Sequence, residues 1–312
     1  MNVQRTLNVA VMLGLLGTAA VAGTVAAAAQ AVTEGPVPTT ALITITSRHD
    51  EQLDPSMLKL KVNRHDSPIT AVTPLVPAHA QVAILMDDGL RGSFGLQIKD
   101  IEDFINALPP GTNALIGYMQ NGTVRSEGFT KNHEALVQQL RIPMSVGGIS
   151  ASPYFSLSTL VKQWPSNQPG PRLVLMLTNG VDPYNGSTSI MNQDSPYVQT
   201  AQEDAQRAGV AVYSIYYPDA RMRRGAFSGQ SYLSQVAEAT GGISFNQGTI
   251  PPVSIKPYLD EFRKQMLESY SVSFQVNASG EKQNSLTQIK ITTTQPGVKI
   301  IAPEGVHPGT SE

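Results

Sequence analysis

Residues 81–89 have the sequence Gln-Val-Ala-Ile-Leu-Met-Asp-Asp-Gly, and this stretch decides the fold class. Residues 82–86 are all apolar, which is typical of a strand that is buried on both faces of a parallel sheet. Two further apolar runs, 172–178 and 210–216, have the same character, and segments with a helical period near 3.6 residues lie between them. Strands that alternate with helices predict an α/β fold, a doubly wound and mostly parallel sheet, over residues 79–270.

The segments on both sides of this region alternate between apolar and polar residues, as β-strands do. The predicted strands are 42–46, 58–62, 272–276, 286–292 and 298–301. They define an N-terminal β segment at 32–78 and a C-terminal β segment with its tail at 271–312. The sequence leaves open whether the two segments pair with each other.

Four boundaries follow from the same local patterns. The local sequence predicts a short linker at residues 32–41 and a loose tail at residues 303–312. The amphipathic pattern predicts a helix over 257–270. The Asn-Gly turn at 121–122 predicts a hairpin whose second strand runs from 124 to 129.

The N-terminal residues have the pattern of a secretory signal peptide over 1–31. Arg5 is the only charged residue before Glu34, and an apolar stretch follows it. Small residues flank Gln30, so we expect cleavage after Ala31. The alternative is an uncleaved membrane anchor, because the uncharged stretch 6–33 could nearly span a bilayer. Both interpretations predict that the folded part is secreted or periplasmic.

The composition excludes several function classes. Of the 312 residues, 41% are apolar, which is enough for a buried core. Lys and Arg number 22 against 24 Asp and Glu, and a net charge of −2 gives no sign of a nucleic-acid-binding surface. There is no cysteine, which excludes disulfides, cysteine-based zinc or iron–sulfur sites, and thiol catalysis.

No catalytic constellation is present in the sequence. Between residues 81 and 270 the only histidine is His133, and there is no Gly-x-Ser-x-Gly elbow. Gly89, Gly92 and Gly95 follow a predicted strand, but their spacing is not that of a dinucleotide-binding turn. We therefore expect a protein that is not an enzyme.

Several separated blocks between residues 79 and 270 occur in the order found in one known family. The blocks are Ile84-Leu85-Met86-Asp87-Asp88, Gly117-Tyr118-Met119-Gln120-Asn121-Gly122, Ile149-Ser150-Ala151-Ser152-Pro153-Tyr154-Phe155, Asp182-Pro183-Tyr184, Glu203-Asp204-Ala205-Gln206-Arg207-Ala208-Gly209 and Tyr232-Leu233. With these blocks the chain resembles a von Willebrand factor A-like domain, specifically the secreted bacterial VWFA-related proteins, in which β segments also flank the domain.

The resemblance implies a metal-ion-dependent adhesion site at the carboxyl ends of the strands. In that family the first loop has the pattern Asp-x-Ser-x-Ser, a second loop adds a Thr, and an Asp ends the fourth strand. These oxygens hold Mg²⁺ or Mn²⁺. In this chain Asp87 keeps the first position, Gly89 and Arg91 replace the two hydroxyls, and Asn179 replaces the strand-end acid.

The other candidate ligands are less certain matches to the family pattern. The position of the second-loop Thr falls near Ser150 or Ser152, while Asp88 and the loop residues Asp182 and Asp194 are acids that could compensate for the lost ligands. Arg91 would repel a divalent cation and could pair with Asp87 or Asp88 instead. We expect a degenerate, metal-free site without cofactor, and Mg²⁺ or Mn²⁺ on Asp87 and Asp88 remains the alternative.

These observations predict an exported, non-catalytic module for adhesion or protein binding. The loops expected to bind are 87–95, 143–155, 179–197 and 217–230, and the expected partner is another protein or an extracellular ligand. Nucleic acid is not expected, and a membrane is expected only through an uncleaved N-terminal segment. The alternative is a structural scaffold of a cell-envelope assembly with a vestigial ligand edge.

Aromatic residues gather near the predicted strand ends and loops, where they could serve recognition or packing. They are Tyr154, Phe155, Tyr184, Tyr197, Tyr213, Tyr216, Tyr217 and Tyr232.

Overall fold

The structure is a computed structural model. It describes residues 35–47, 51–90, 92–120, 122–144, 152–184, 194–218, 226–278 and 285–310. All of these residues belong to one compact unit, residues 33–312. The predicted signal peptide lies outside the described residues. Within the described residues, no helix is both long enough and apolar enough to cross a membrane.

Fourteen strands and six α-helices make up the described part of the chain. The strands are β1 (Gly35–Ser47), β2 (Leu58–Val62), β3 (His65–Ser67), β4 (Ile69–Pro74), β5 (Gln81–Asp87), β6 (Asn113–Gln120), β7 (Thr123–Arg125), β8 (Arg172–Thr178), β9 (Val210–Tyr216), β10 (Ser244–Phe245), β11 (Ser269–Ala278), β12 (Thr287–Thr293), β13 (Val298–Ile301) and β14 (Gly305–Val306). The helices are α1 (Ile98–Asn106), α2 (His133–Val137), α3 (Pro153–Lys162), α4 (Pro196–Arg207), α5 (Ala226–Thr240) and α6 (Lys256–Leu267).

A six-stranded sheet forms the centre of the α/β region, in the order β10-β9-β8-β5-β6-β7. Every neighbouring pair is parallel except β6 and β7, which are antiparallel. All seven residues of β5 and of β9 are buried, as the apolar runs predict. The predicted fold class, a doubly wound and mostly parallel α/β sheet, is confirmed.

Helices cover both faces of this sheet, and each face has its own apolar core. One core joins the sheet to α1, α2 and α6, with Phe104, Leu136 and Phe262 as members. The other joins it to α3, α4 and α5 and includes Leu157 and Val198. Because helices cover both faces of the sheet, we expect a binding site at the ends of the strands or in the loops.

The terminal β segments pair with each other and form two four-stranded sheets, ordered β13-β1-β11-β4 and β14-β12-β2-β3. β1 pairs antiparallel with β11 from Gly35 opposite Ala278 to Thr44 opposite Ser269. Apolar residues of both sheets share one core, in which Ile43 is fully buried. The pairing that the sequence leaves open is therefore present.

Two boundary predictions at the chain ends are wrong. Residues 35–41 are not a linker but the first half of β1, because the partner strand β11 extends alongside them. The tail from 303 to 310 is not loose. β14 pairs with β12, the Thr40 backbone N–H donates to the Thr310 carbonyl at 2.8 Å, and Val306 is buried. Local sequence carries no signal for such distant pairing.

Two further boundaries differ from their predictions. The last helix stops at Leu267, and Tyr270 already pairs with Ile43 in the β-sheet, so tertiary pairing overrides the helical pattern. The predicted strand at 124–129 shortens to β7 and ends at Arg125. Gly128 follows with a φ of +93°, which a regular strand does not accommodate.

Candidate binding site at the carboxyl edge of the parallel sheet

The strand order places a candidate site between β5 and β8. These two strands are neighbours in the sheet. The strand that follows β5 in the chain, β6, lies on one side of it, and β8 lies on the other side, so the strand order reverses between β5 and β8. Doubly wound sheets bind ligands in the crevice at this reversal, outside the carboxyl ends of the strands. Asp87 ends β5 and Thr178 ends β8, so both residues lie at the crevice.

Asp87 braces the two strands instead of facing an open crevice. It is 4% exposed, and its Oδ2 accepts a hydrogen bond from the Thr178 hydroxyl at 2.7 Å. Its Oδ1 accepts from the Gly89 backbone N–H at 2.9 Å. The Thr178 hydroxyl also accepts from the Gly180 N–H at 3.1 Å, which fixes the loop that follows β8.

Asp88 is saturated by a second set of donors. Its side chain is 1% exposed, and Arg141 donates to both oxygens, from Nη1 to Oδ1 at 2.6 Å and from Nη2 to Oδ2 at 3.1 Å. The Met144 N–H adds a bond to Oδ1 at 3.0 Å, and the Gln120 amide donates to Oδ2. A buried carboxylate with a bidentate arginine is a strong, oriented pair.

The fold holds Arg141 in place from its other side. Its guanidinium carbon lies 3.7 Å from the centre of the Tyr118 ring, a cation–π contact. The Arg141 N–H donates to the Tyr118 hydroxyl at 2.6 Å, and that hydroxyl donates to the Arg141 carbonyl at 2.9 Å. The arginine is therefore clamped between the ring on β6 and the acid after β5.

The electrostatics agree with a permanent ion pair. Burial acts to raise the pKa of Asp88, but the hydrogen bonds from Arg141, Gln120 and the Met144 N–H outweigh it, and the pKa lies below its ordinary value. The hydrogen bond to Asp88 raises the pKa of Arg141. Both groups therefore stay charged at neutral pH, each held by the other.

The remaining predicted site residues do not all join this cluster. Arg91 and Ser150 lie outside the described residues. Asn179 accepts the Val181 N–H at 3.0 Å and so shapes its own turn. Asp182 accepts from the Ser195 hydroxyl at 2.7 Å and from the Tyr184 N–H at 3.2 Å, which ties its loop to the start of α4.

Ser152 is the exception among the predicted oxygens. It is fully buried immediately before α3, and its hydroxyl has no hydrogen-bond partner among the described residues. Asp194 is exposed next to the start of α4, and nothing in the described structure places it beside Asp87. Asp87, Asp88 and Gly89 are thus the predicted residues that the structure brings together.

Among the described residues, the carboxylates of Asp87 and Asp88 already accept protein donors on all four oxygens, which leaves no free carboxylate for a divalent cation. Mg²⁺ requires about six oxygens in near-octahedral order, with one or two free carboxylates. A guanidinium already occupies both oxygens of Asp88, and Asp87 is bonded by a hydroxyl and a backbone N–H. Within the described ranges no group of three or more His, Cys, Asp or Glu residues could hold a metal.

Sequence reasoning missed the three residues that close the site, Arg141, Gln120 and Thr178. Arg141 lies 53 positions from Asp88, in a loop with no motif, so no spacing rule points to it. Gln120 ends β6 and Thr178 ends β8, and these are the two strands next to β5. The rule that ligands meet at the carboxyl ends of neighbouring strands was a usable signal for both.

Several apolar side chains in the connections that follow the carboxyl ends of the strands are exposed to solvent. Leu96 is 80% exposed, Met144 74%, Ile142 52% and Tyr184 51%. Ile142 lies against Gly95, where an added Cβ would be 3.2 Å from it. These residues belong to loops at the carboxyl edge, so the edge combines a neutralised centre with an apolar rim.

A small aromatic cluster extends the rim. The ring of Phe155 lies 5.3 Å from that of Tyr184 and 4.9 Å from that of Tyr197. The other tyrosines that the sequence singles out, Tyr154, Tyr213, Tyr216, Tyr217 and Tyr232, are buried and serve packing. The two tyrosines of the cluster are thus the ones available for recognition.

No family model and no curated protein matches this sequence. Solved structures similar to the chain include an aerotolerance-related membrane protein from Bacteroides fragilis NCTC 9343, at 9% identity and a TM-score of 0.41, over 60% of this chain and 98% of that one. Another is the vWF domain of the type V pili tip protein Mfa5 from Porphyromonas gingivalis, at 10% identity and a TM-score of 0.42, over 62% and 95%.

A third similar structure is a von Willebrand factor type A protein from Catenulispora acidiphila, at 11% identity and a TM-score of 0.40, over 87% of this chain and 74% of that one. Function does not follow from likenesses at such low identity and has to come from the chain's own residues. The order and direction of its strands, together with the sequence blocks between residues 84 and 233, make the α/β region of this chain von Willebrand factor A-like in fold.

Proposed function

We propose that this chain is an exported, non-catalytic adhesion or protein-binding module that recognises another protein through the carboxyl edge of its six-stranded sheet. The observation that carries the proposal is the Asp88–Arg141 pair inside a rim of exposed apolar side chains. Recognition at this edge then depends on shape and apolar contact, with no metal ion bridging to a carboxylate of the partner.

The chemistry of the edge supports contact with a protein. Large apolar side chains that remain exposed together on a soluble domain mark interaction surfaces more often than chance. Tyr and Met are enriched at such surfaces, and this rim contains Met144, Tyr184 and Tyr197. The charged centre is already paired, so a partner that covers it does not have to neutralise a free acid.

The bonding of the two described acids at this edge supports a role other than catalysis. The carboxylate of Asp88 is held in its charged form by Arg141, and the carboxylate of Asp87 accepts bonds from fixed donors. Asp88 is therefore not poised to exchange a proton near neutral pH. Export follows from the signal-peptide pattern of residues 1–31, and it fits a module that meets its partner outside the cytoplasm.

Site-directed photo-crosslinking in the producing cell tests this function. Benzoylphenylalanine would replace Met144 or Tyr184 in the rim, and Leu267 at the end of α6 provides a control position that is also apolar and 51% exposed. We expect discrete protein adducts from the two rim positions and none from Leu267. Each variant's thermal midpoint checks that it is folded.

The opposite pattern would contradict the proposal. Adducts only from the control position, with silent rim positions, would favour a scaffold component with a vestigial edge. Equal adducts from all three positions would indicate non-specific collisions, and an absence of rim adducts would remove the edge as the binding surface.

A further inference from the structure

A second concave surface lies at the other end of the molecule's parallel sheet. It is a cleft of about 520 Å³ between the sheet β13-β1-β11-β4 and the amino ends of the parallel strands. Ligand sites commonly have volumes of about 300–1,000 Å³ and occur where two structural layers meet. None of the residues at the carboxyl edge lines this cleft, so it is a separate site.

The floor of the cleft is a row of hydroxyl groups on three adjacent strands. Thr40 on β1 lies opposite Ser273 on β11, and Ser271 on β11 lies opposite Thr73 on β4. The residues between them, such as Val272, point into the apolar core of the β segments. Strand alternation therefore sends these four hydroxyl side chains to the cleft side.

The walls add amides, one amine and proline rings. Asn113 and Gln168 supply the amides, Lys131 supplies a cation, and Pro169 and Pro171 supply apolar surface. The lining contains no carboxylate and no Phe, Tyr or Trp side chain. The imidazole of His79 also lines the cleft. A cationic ligand would find no counter-charge among the described lining residues.

The walls are fixed before any ligand arrives. Gln81 is 1% exposed, accepts the Trp164 indole N–H at 2.8 Å, and donates to the Gln168 carbonyl at 2.8 Å. Gly170 has a φ of +138°, and a Cβ there would collide with the His79 carbonyl oxygen. Only glycine allows this close approach, and the result is a preformed cleft.

Three hydroxyls and the lysine of the cleft have little or no hydrogen bonding to the described protein. The hydroxyls of Thr40, Thr73 and Ser273 form no hydrogen bond with any described residue. Lys131 makes only a long contact, 3.5 Å from its Nζ to the Ala78 carbonyl, and it has no ion-pair partner in the described ranges. A ligand can therefore bind these groups without breaking protein bonds.

We propose that this cleft binds an acidic saccharide, a sugar ring that carries one carboxylate. Hydroxyl and amide side chains both donate and accept, which matches the hydroxyl groups of a sugar. The proline rings offer apolar surface to the C–H face of the ring, and Lys131, the one lysine or arginine in the described lining, would pair with a single carboxylate. This site is independent of the protein-binding edge.

Titration of the full protein with defined sugars tests the assignment. Glucuronate and galacturonate are the acidic probes, glucose and galactose are their neutral counterparts, and acetate is the carboxylate without a ring. Binding would be followed by calorimetry and by saturation-transfer NMR. We expect both uronates to bind at least about fivefold more tightly than glucose or acetate, since one partly exposed ion pair contributes on the order of 1 kcal/mol.

Two variants sharpen the test, and both replace residues that make no internal side-chain bond of normal length. Lys131→Gln should remove the preference for the acid and leave weak sugar binding, while Thr40→Val should weaken all sugars alike. Lys290→Gln on the exposed side of β12 is the matched control and should change nothing. Equal binding of glucose and glucuronate, equal binding of acetate, a Lys131→Gln variant with unchanged preference, or no binding at all would each overturn the proposal.

Discussion

The two ends of the parallel sheet treat their polar residues in opposite ways. At the carboxyl edge the acids are buried and bonded to Arg141, Thr178 and backbone N–H groups. At the amino end, the hydroxyls of Thr40, Thr73 and Ser273 line a cleft without hydrogen-bond partners among the described residues, and Lys131 makes only a long contact to the Ala78 carbonyl. We conclude that a residue whose type suits a ligand indicates a ligand site only when its polar atoms are not already bonded to the protein.

The largest effect should come from breaking the closed end. Arg141→Ala leaves the carboxylate of Asp88, 1% exposed, without its counter-charge, and we expect a loss of about 3 kcal/mol in the free energy of unfolding. Urea denaturation measures it. Adding Asp88→Asn to Arg141→Ala should recover much of the loss because the stranded charge is gone.

A surface pair is the control for that experiment. Lys99 forms an ion pair with Asp103 at 2.7 Å, but both side chains are at least half exposed. Lys99→Ala should change stability by less than about 1 kcal/mol. If Arg141→Ala were equally mild, Arg141 would not be the counter-charge that stabilises the buried carboxylate of Asp88.

The next effect concerns the link between β5 and β8. Thr178→Val keeps the shape of the side chain but removes the hydroxyl that donates to Asp87, and a buried acceptor without its donor costs about 1–3 kcal/mol. Thr200→Val on α4 removes an exposed hydroxyl and should be nearly neutral. Equal urea midpoints for the two variants would contradict a bracing role for Asp87.

The pH dependence of stability should reveal the ion pair as well. The folded pKa of Asp88 lies below the ordinary value of 3.8, so its stabilising contribution is complete above that value. It should be lost as the pH falls from about 3.8 through the lower folded pKa. Urea titrations of the wild type and of Asp88→Asn should therefore converge below this range. Curves that stay parallel down to the lowest accessible pH would argue against a depressed pKa.

The smallest effect should come from the open end. Lys131→Gln removes a cation with no ion-pair partner among the described residues, and we expect the free energy of unfolding to change by less than about 0.5 kcal/mol. The loss in the free energy of unfolding should therefore be much smaller for Lys131→Gln than for Arg141→Ala. A large loss in Lys131→Gln would mean that the lysine is structural and not held ready for a ligand.

The sequence was most informative where the chemistry is local. The buried strands at 172–178 and 210–216 have the predicted bounds. A short, continuous apolar run is typical of a strand that is buried on both faces of a parallel sheet. The position of Asp87 and Asp88 at a strand end also follows from the run before them. Features that depend on distant partners were not predictable, such as the ordered residues 303–310, which pair with strands elsewhere in the chain.

The ion pair between Asp88 and Arg141 also depends on residues that are distant in the sequence. The substitutions Gly89 and Asn179 indicate a weakened metal site from the sequence alone, and a filling arginine was part of that expectation. The arginine that binds Asp88 in the structure is Arg141, which lies between α2 and α3 and stacks on the ring of Tyr118. Arg91, the residue suggested by the loop pattern, lies outside the described residues.

We expect the carboxyl edge to function without a divalent cation, and thermal unfolding of the protein with and without metal checks this expectation. Scans would be run in EDTA and then in millimolar Mg²⁺ or Mn²⁺. We predict the same midpoint in all three, because Arg141 already occupies Asp88. A ligand at a hundred times its Kd adds about 2.7 kcal/mol, so a rise of roughly 5–10 °C that Asp87→Ala abolishes would contradict the account.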